Sequence, residues 1–281
     1  MITEELMEKV RQLEIITSRS VNEVFAGEYS SAFRGRGMEF DEVREYAPGD
    51  EIRTIDWNVT ARTGIPHIKR YVEERELTIM LLVDLSPSSV FGSAHRLKCE
   101  TAAEVCGVLA FAATRNNDRV GMLTFGDDVR TVIPAKKGTN HVLRIMRELI
   151  EEGDGRKAAA GQASRLSSRS IGTIAALEHL GRVQKRRAVV FVLSDFLHPL
   201  GAFAPGSSLE TSLRIASRRH DAVAVRVSDP RERELPRAGL IELRDAETGE
   251  RRTVDTSSKR VRDRYAKNAV ARTQALRAMC R

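Results

Sequence analysis

Hydrophobic positions recur with two periods along this chain, and the switches between them mark its elements. Leu6, Val10, Leu13 and Ile16 stand three or four apart, which predicts an amphipathic helix over 3–18 capped by Thr3. The pattern then breaks into a glycine-punctuated basic segment, Arg34-Gly35-Arg36-Gly37, and a turn at Tyr46-Ala47-Pro48-Gly49-Asp50. A strand-like run follows at 67–72, and from Leu77 the rhythm is regular. An apolar strand ends at Asp84, a helix over 94–115 carries Leu97, Ala102, Val105 and Leu109 on one face, and a second strand spans 120–125. Asp127-Asp128 turns that strand into a hairpin partner at 129–133. A helix then starts near Asn140, with Val142, Leu143, Ile145, Met146, Leu149 and Ile150 as its apolar positions. Residues 153–170 are small, polar and alanine-rich, which predicts a mobile loop with no core of its own. After a helix over 171–183, Ala188-Val189-Val190-Phe191-Val192-Leu193 is the continuous apolar run expected of a central strand covered on both faces. A short helix at 209–218, a strand at 222–227, a hairpin around Thr248-Gly249 and a basic helix over 257–279 complete the order.

Alternating strands and helices predict an α/β fold, Rossmann-like, with a mainly parallel central sheet and helices on both faces. Residues 1–75 read as an N-terminal accessory segment and 76–229 as the α/β domain. Residues 230–281 read as a C-terminal β-hairpin and helix packed on that domain. A length of 281 residues accommodates this, and 41% hydrophobic with 30% charged residues is the balance of a soluble globular protein. No apolar stretch approaches the ~20 residues that span a bilayer. The start, Met1-Ile2-Thr3-Glu4-Glu5, is acidic where a signal peptide is basic, so the chain reads as cytoplasmic with no membrane partner. Cys99, Cys106 and Cys280 show neither metal spacing nor a disulfide framework, and the first two read as buried thiols.

Charge narrows the function classes. The 46 Lys and Arg leave a net +7, but they are interleaved with 39 acidic residues, and aromatics are 5% of the chain. Nucleic-acid readers concentrate basic charge and add exposed aromatics, so Arg34, Arg36, Lys185-Arg186-Arg187 and the C-terminal helix make a weak case for that class. Lys185 to Arg187 instead complement the negative end of the helix before them. Catalysis has little support either. There is no Gly-x-Ser-x-Gly elbow and no Gly-x4-Gly-Lys-Ser/Thr loop, and none of the six histidines is paired at metal-ligand spacing. A metal-dependent hydrolase and a basic-surface nucleic-acid binder stand as alternatives to a non-catalytic reading.

The chemistry that stands out is oxygen-rich. The strand ending at Asp84 continues Leu85-Ser86-Pro87-Ser88, a carboxylate followed by two hydroxyls at alternate positions. Hard divalent cations such as Mg²⁺ take oxygen ligands, and open α/β sheets bind ligands beyond the carboxyl ends of their strands. Asp195 ends the central apolar strand in the same way. Adjacent parallel strands lie ~4.8 Å apart, so the two carboxylates can flank one cation if their strands are neighbours. Between them, Lys137-Gly138-Thr139-Asn140 presents a threonine that either caps the next helix or supplies a further hydroxyl.

Asp84, Ser86, Ser88, Thr139 and Asp195 together resemble the metal-ion-dependent adhesion site of von Willebrand factor A domains. That resemblance implies Mg²⁺, or Mn²⁺ or Ca²⁺, held by these five residues, with one position open to an acidic side chain of a protein partner. Phe196 departs from it, since many such domains place glycine there, and it is expected to narrow access; Pro87 inside the motif is a second oddity. The flanks are similar to the domain-of-unknown-function 58 family: Arg34 to Phe40, Val43-Arg44-Glu45-Tyr46-Ala47-Pro48-Gly49-Asp50, Ile55-Asp56-Trp57, Ala61-Arg62-Thr63-Gly64, and the ending from Ile241 through Thr248-Gly249-Glu250 to Asp255. Members of that family are associated with MoxR-type AAA+ ATPases. The resemblance implies a non-catalytic adaptor of such an ATPase, or of its client, in chaperone-like protein maturation. Asp50, Asp56, Trp57 and Arg62 read either as a second interaction surface or, the favoured reading, as packing, in which Trp57, the chain's one tryptophan, holds the N-terminal segment onto the sheet while Asp56 and Arg62 hold its backbone.

Overall fold

A computed structural model describes residues 39–72, 76–93, 96–158 and 171–280. The helix expected over 3–18 and the basic segment at 34–37 lie outside the described residues. The chain divides into two compact units, one over Gly27–Leu77 and one containing Thr78–Arg281.

In the smaller unit, β1 (Glu39–Glu45) pairs antiparallel with β2 (His67–Val72), and α1 (Trp57–Thr63) lies between them in sequence. Its signature residues build turns. The Arg44 guanidinium grips Asp50 through two bonds of 2.9 and 2.6 Å, and the Ala47 N–H donates to the same carboxylate. The Arg44 bond holds the Asp50 carboxyl below its ordinary value. Asp56 caps α1 by accepting from the N–H groups of Asn58 and Val59, and Lys69 lies 3.3 Å from its other oxygen. The expectation for Asp56 is met. Trp57, at the first helical position, is 67% exposed, and Arg62 is exposed as well.

The larger unit is the expected α/β domain. Its sheet has the order β5-β4-β3-β6-β7: β5 (Val129–Lys136), β4 (Arg119–Phe125), β3 (Thr78–Asp84), β6 (Val189–Ser194) and β7 (Asp221–Arg226). β3, β4, β6 and β7 run parallel, and β5 is an antiparallel edge. Pro134 sits exposed on that edge strand, where no ladder N–H is lost. Alternation divides the core. Met80, Leu82, Leu123, Phe125, Val190 and Val192 share a cluster with α4 (Ile171–Val183) and α5 (Ser208–Arg219). α2 (Lys98–Arg115) packs on β3 and β4, and α3 (Thr139–Ala158) packs on α2 and β4. α2 buries Cys99 and Cys106 as expected, and burial pushes the Cys106 thiol well up.

Two boundaries shift. α2 begins at Lys98 instead of 94, because Leu97 takes the cap position and its N–H donates to Glu100. α3 continues through Gly153 to Ala158 where a loop was expected. Gly153 is buried in that helix, and Lys157 closes its last turn with bonds to Glu100 and Asp154. Beyond the sheet, β8 (Leu240–Arg244) and β9 (Arg251–Asp255) form the C-terminal hairpin, followed by α6 (Lys259–Met279). Leu276 of α6 joins the core cluster. Among the described residues no helix is long and apolar enough to cross a membrane.

Candidate metal centre

β3 and β6 are neighbours in register Val83↔Leu193, so Asp84 and Asp195 emerge side by side at the carboxyl end of the sheet. The condition that the sequence left open is satisfied. Asp84 closes an Asx turn by accepting the Ser86 N–H at 2.9 Å, and its other oxygen accepts the Ser194 hydroxyl at 2.6 Å. Pro87 opens a short 3-10 turn, Pro87–Val90, at a position that needs no N–H, which removes its oddity. This turn sets the Ser86 and Ser88 hydroxyls 3.1 Å apart, and Ser88 donates to Asp195 Oδ2 at 2.6 Å. Asp195 Oδ1 accepts the Leu197 N–H.

Asp84, Ser86, Ser88 and Asp195 line one cavity of about 20 Å³, together with Phe125, Gly126, Asp127, Thr173, Leu197, His198 and Glu247. That volume suits one water-sized body. Thr139 is not among the lining residues. It is exposed at the first position of α3, after Gly138 with φ +97°. The reason is strand direction. β5 runs back along β4, pairing Val120 with Lys136, so the turn after it lies at the amino end of the sheet, about 20 Å from Asp84 by strand rise.

The threonine that reaches the cavity is Thr173, in the first turn of α4. Its side chain is 1% exposed, and its hydroxyl has no hydrogen-bond partner among the described residues. Gly172 brings it there: a Cβ at that position would stand 1.6 Å from the Gly126 carbonyl oxygen, so only glycine lets α4 dock this closely on the β4–β5 turn. A sequence signal existed. A helix leading into a parallel strand must start at the carboxyl end of the sheet, and α4 precedes β6.

The electrostatics are strained at Asp84 and compensated at Asp195. Burial, and then the neighbouring Asp195 charge, push the Asp84 carboxyl up to about 6. Burial works the same way on Asp195, but the Lys98 ammonium, 2.7 Å from Oδ2, with the Ser88 and Leu197 bonds, holds it below its ordinary value. Lys98 also binds Glu232. Glu232 is itself fixed by reciprocal bonds with Asp229 around the Pro230–Glu232 turn. These residues escaped the sequence reading because nothing in their spacing joins Lys98 to Asp195 and Glu232. Among the described residues there is no group of three or more His, Cys, Asp and Glu side chains suited to a metal. The cavity's chemistry is largely of oxygen: the hydroxyls of Ser86, Ser88 and Thr173 beside Asp84 and Asp195, with Asp127 and Glu247 also on its lining.

Phe196 does not line the cavity. Its ring is 2% exposed in the core, edge-on to His198 at 6.2 Å, and its backbone has φ +49°. Phe196 therefore adopts a glycine-like conformation while filling core volume. Phe196→Gly relieves roughly 1–2 kcal/mol of left-handed strain but forfeits about 3–5 kcal/mol of aromatic packing. The expected result is a net destabilisation of about 1–4 kcal/mol in denaturant titration. A variant as stable as the wild type would show that the backbone strain dominates.

The chain matches the family described as "Protein of unknown function DUF58" over residues 42–275. It is 33% identical over 264 residues to the uncharacterized proteins Rv1480 of Mycobacterium tuberculosis and Mb1516 of Mycobacterium bovis, covering 93% of this chain and 77% of each relative. Among solved structures, BatB from Bacteroides thetaiotaomicron superposes with a TM-score of 0.38 at 14% identity, over 73% of this chain and 98% of that one. The SpRpn10 VWA domain does so at 0.29 and 15%, over 55% and 90%. Neither superposition is close enough to bear on the site. Matched over most of its length, from within β1 to the last turns of α6, this chain belongs to the DUF58 family.

Proposed function

We propose that this chain is a non-catalytic protein–protein interaction module whose Asp84, Ser86, Ser88, Thr173 and Asp195 hold a divalent cation, Mg²⁺ or the similar Mn²⁺ or Ca²⁺. The observation that carries the reading is the Thr173 hydroxyl, buried and without a partner among the described residues, in a cavity it shares with Asp84, Asp195 and two serine hydroxyls. A buried polar atom without a bond costs about 1–3 kcal/mol, and a cation there would satisfy it. The donor set is all oxygen, as a hard cation requires, and the lone amine nearby is held by Asp195 and Glu232. Hydroxyl ligands leave such a cation short of negative charge, so it favours an incoming carboxylate. The partner class is thus a protein with an acidic side chain. The resemblance in sequence makes a MoxR-type AAA+ ATPase, or its client, the first to test.

Thr173→Val separates this reading from a structural one. The substitution removes the orphan hydroxyl at nearly constant volume, so the metal-free protein should gain about 1–2 kcal/mol in denaturant titration. Mn²⁺ affinity in isothermal titration should fall about tenfold or more. Thr139→Ala should change neither. Unaltered Mn²⁺ binding in Thr173→Val would remove Thr173 from the ligand set. For the partner, pull-downs with Mg²⁺ and with EDTA should differ in the wild type and agree in Asp84→Asn. Equal capture in both wild-type arms would defeat metal dependence.

A further inference from the structure

Two further carboxylate residues line the cavity, Asp127 from the β4–β5 turn and Glu247, and the second comes from far along the chain. Glu247 comes from the turn between β8 and β9, more than fifty residues after Asp195 in the chain, and is 3% exposed. Its Oε1 accepts the Ser88 N–H at 3.0 Å, and it lines the same small cavity as Asp84, Ser86, Thr173 and Asp195. The turn is built to hold it there. Asp245 Oδ1 accepts the N–H groups of Glu247 and Thr248, Asp245 N–H donates to the Glu250 carbonyl, and Gly249 supplies φ +72°. Burying a carboxylate beside Asp84 and Asp195 is unfavourable without positive charge at hand. The Arg130 charge is shared among Glu152, Asp127, Asp84 and Glu247, and the Lys98 ammonium is bonded to Asp195 and Glu232.

Resting on the cation reading above, we infer that Glu247 is an internal occupant of the position the cation would offer to a partner's acidic group. The β8–β9 turn then keeps the site closed until an external carboxylate displaces Glu247. Ser88, Leu197 and Glu247 also line a larger cavity of about 660 Å³ between the hairpin, α6 and the 3-10 turn at 230–232, with Arg244, Arg252 and Arg272 on its walls. Its walls also carry Glu232, Asp245 and Glu250, so the opening that leads to the position Glu247 holds is of mixed charge.

Glu247→Gln tests the inference in the full chain, because glutamine keeps an acceptor for the Ser88 N–H while removing the charge. Mn²⁺ titration and water-proton relaxation of the bound ion are measured in the wild type, Glu247→Gln and Thr173→Val, with and without acetate. Glu247→Gln should bind Mn²⁺ about tenfold more weakly. Its bound ion should relax water faster, consistent with about one more exchangeable water. Acetate should reverse that gain in Glu247→Gln and leave the wild type nearly unchanged. Equal affinity and relaxation in wild type and Glu247→Gln would overturn the inference, leaving Glu247 as a partner of the Ser88 amide. So would an acetate response in the wild type as large as in the variant. In either case an intact loss in Thr173→Val would preserve the cation reading. Absence of Mn²⁺ binding in the wild type would overturn both.

Discussion

Lys98→Met is expected to destabilise the protein by about 3–5 kcal/mol at pH 7–8, the cost of removing one partner from a buried ion pair. Lys98 and both of its carboxylate partners are less than a tenth exposed, so methionine leaves Asp195 and Glu232 buried without the ammonium between them. Burial lowers an amine's pKa, yet Asp195 and Glu232 hold Lys98 above its ordinary value, so it is charged throughout the working range. The pH dependence follows from Asp195. Its folded carboxyl lies below the ordinary value, so its contribution is present above about pH 4 and lost as pH falls through the folded pKa. In Lys98→Met that depression is removed, the carboxylate becomes easier to protonate, and the deficit should shrink toward pH 4–5. Denaturant titrations at the two ends of this range check it. A deficit independent of pH would assign the loss to packing of the lysine stem instead.

Asp84→Asn should move stability the other way. With the folded carboxyl pushed up from its ordinary 3.8 to about 6, charging Asp84 costs the metal-free protein stability. A raised folded pKa means that the protonated form is favoured. The penalty is therefore absent below about pH 4, grows between pH 4 and 6, and is complete above that range. Asparagine keeps an acceptor for the Ser86 N–H and can bond the Ser194 hydroxyl, so the geometry survives. In EDTA at pH 8 the variant should be more stable by about 1–3 kcal/mol, a discounted share of the shift at 1.36 kcal/mol per unit. The gain should vanish by pH 4. Mn²⁺ binding should be lost at every pH, because a ligand carboxylate must be ionised. Lower stability at pH 8 in EDTA would show that the charged form is already compensated in the metal-free protein.

The two substitutions lie one carboxylate apart and differ in sign. Asp195 is bonded to a cation of the fold, whereas among the described residues Asp84 is bonded to neutral groups and feels Arg130 only at a distance. With Glu247 buried in the same cavity, the site has room for a further positive charge. Saturating Mn²⁺ should accordingly raise wild-type stability through mass action, and Asp84→Asn should show no such response.

Much of the domain was legible along the chain. Period-two and period-3.6 patterns located β3, β4, β6 and β7 to within a residue or so, and helix 171–183 at both ends, because each element must bury one stripe or both faces. Asp84, Ser86, Ser88 and Asp195 were legible for the same reason. Each immediately follows or ends an apolar strand, and a strand's end is where a parallel sheet binds ligands. Local chemistry also named the turn closed by Asp50 and a backbone-holding role for Asp56, which the structure specifies as a helix cap.

What the sequence could not decide depends on direction and on distant parts of the chain. Thr139 and Thr173 each begin a helix after a glycine, and their spacing from Asp84 does not rank them. The antiparallel return of β5 puts Thr139 at the wrong end of the sheet, and the crossover into β6 puts Thr173 at the right one. Trp57 was expected to pack, yet at the start of a helix of about two turns it is exposed. Lys98, Glu232 and Glu247 meet the site through separations of up to 159 residues, as in the Ser88–Glu247 bond. Periodicity reports which face a residue takes within its own element. Which charges share a cavity is set by how the elements pack, and in this protein that packing completes the site.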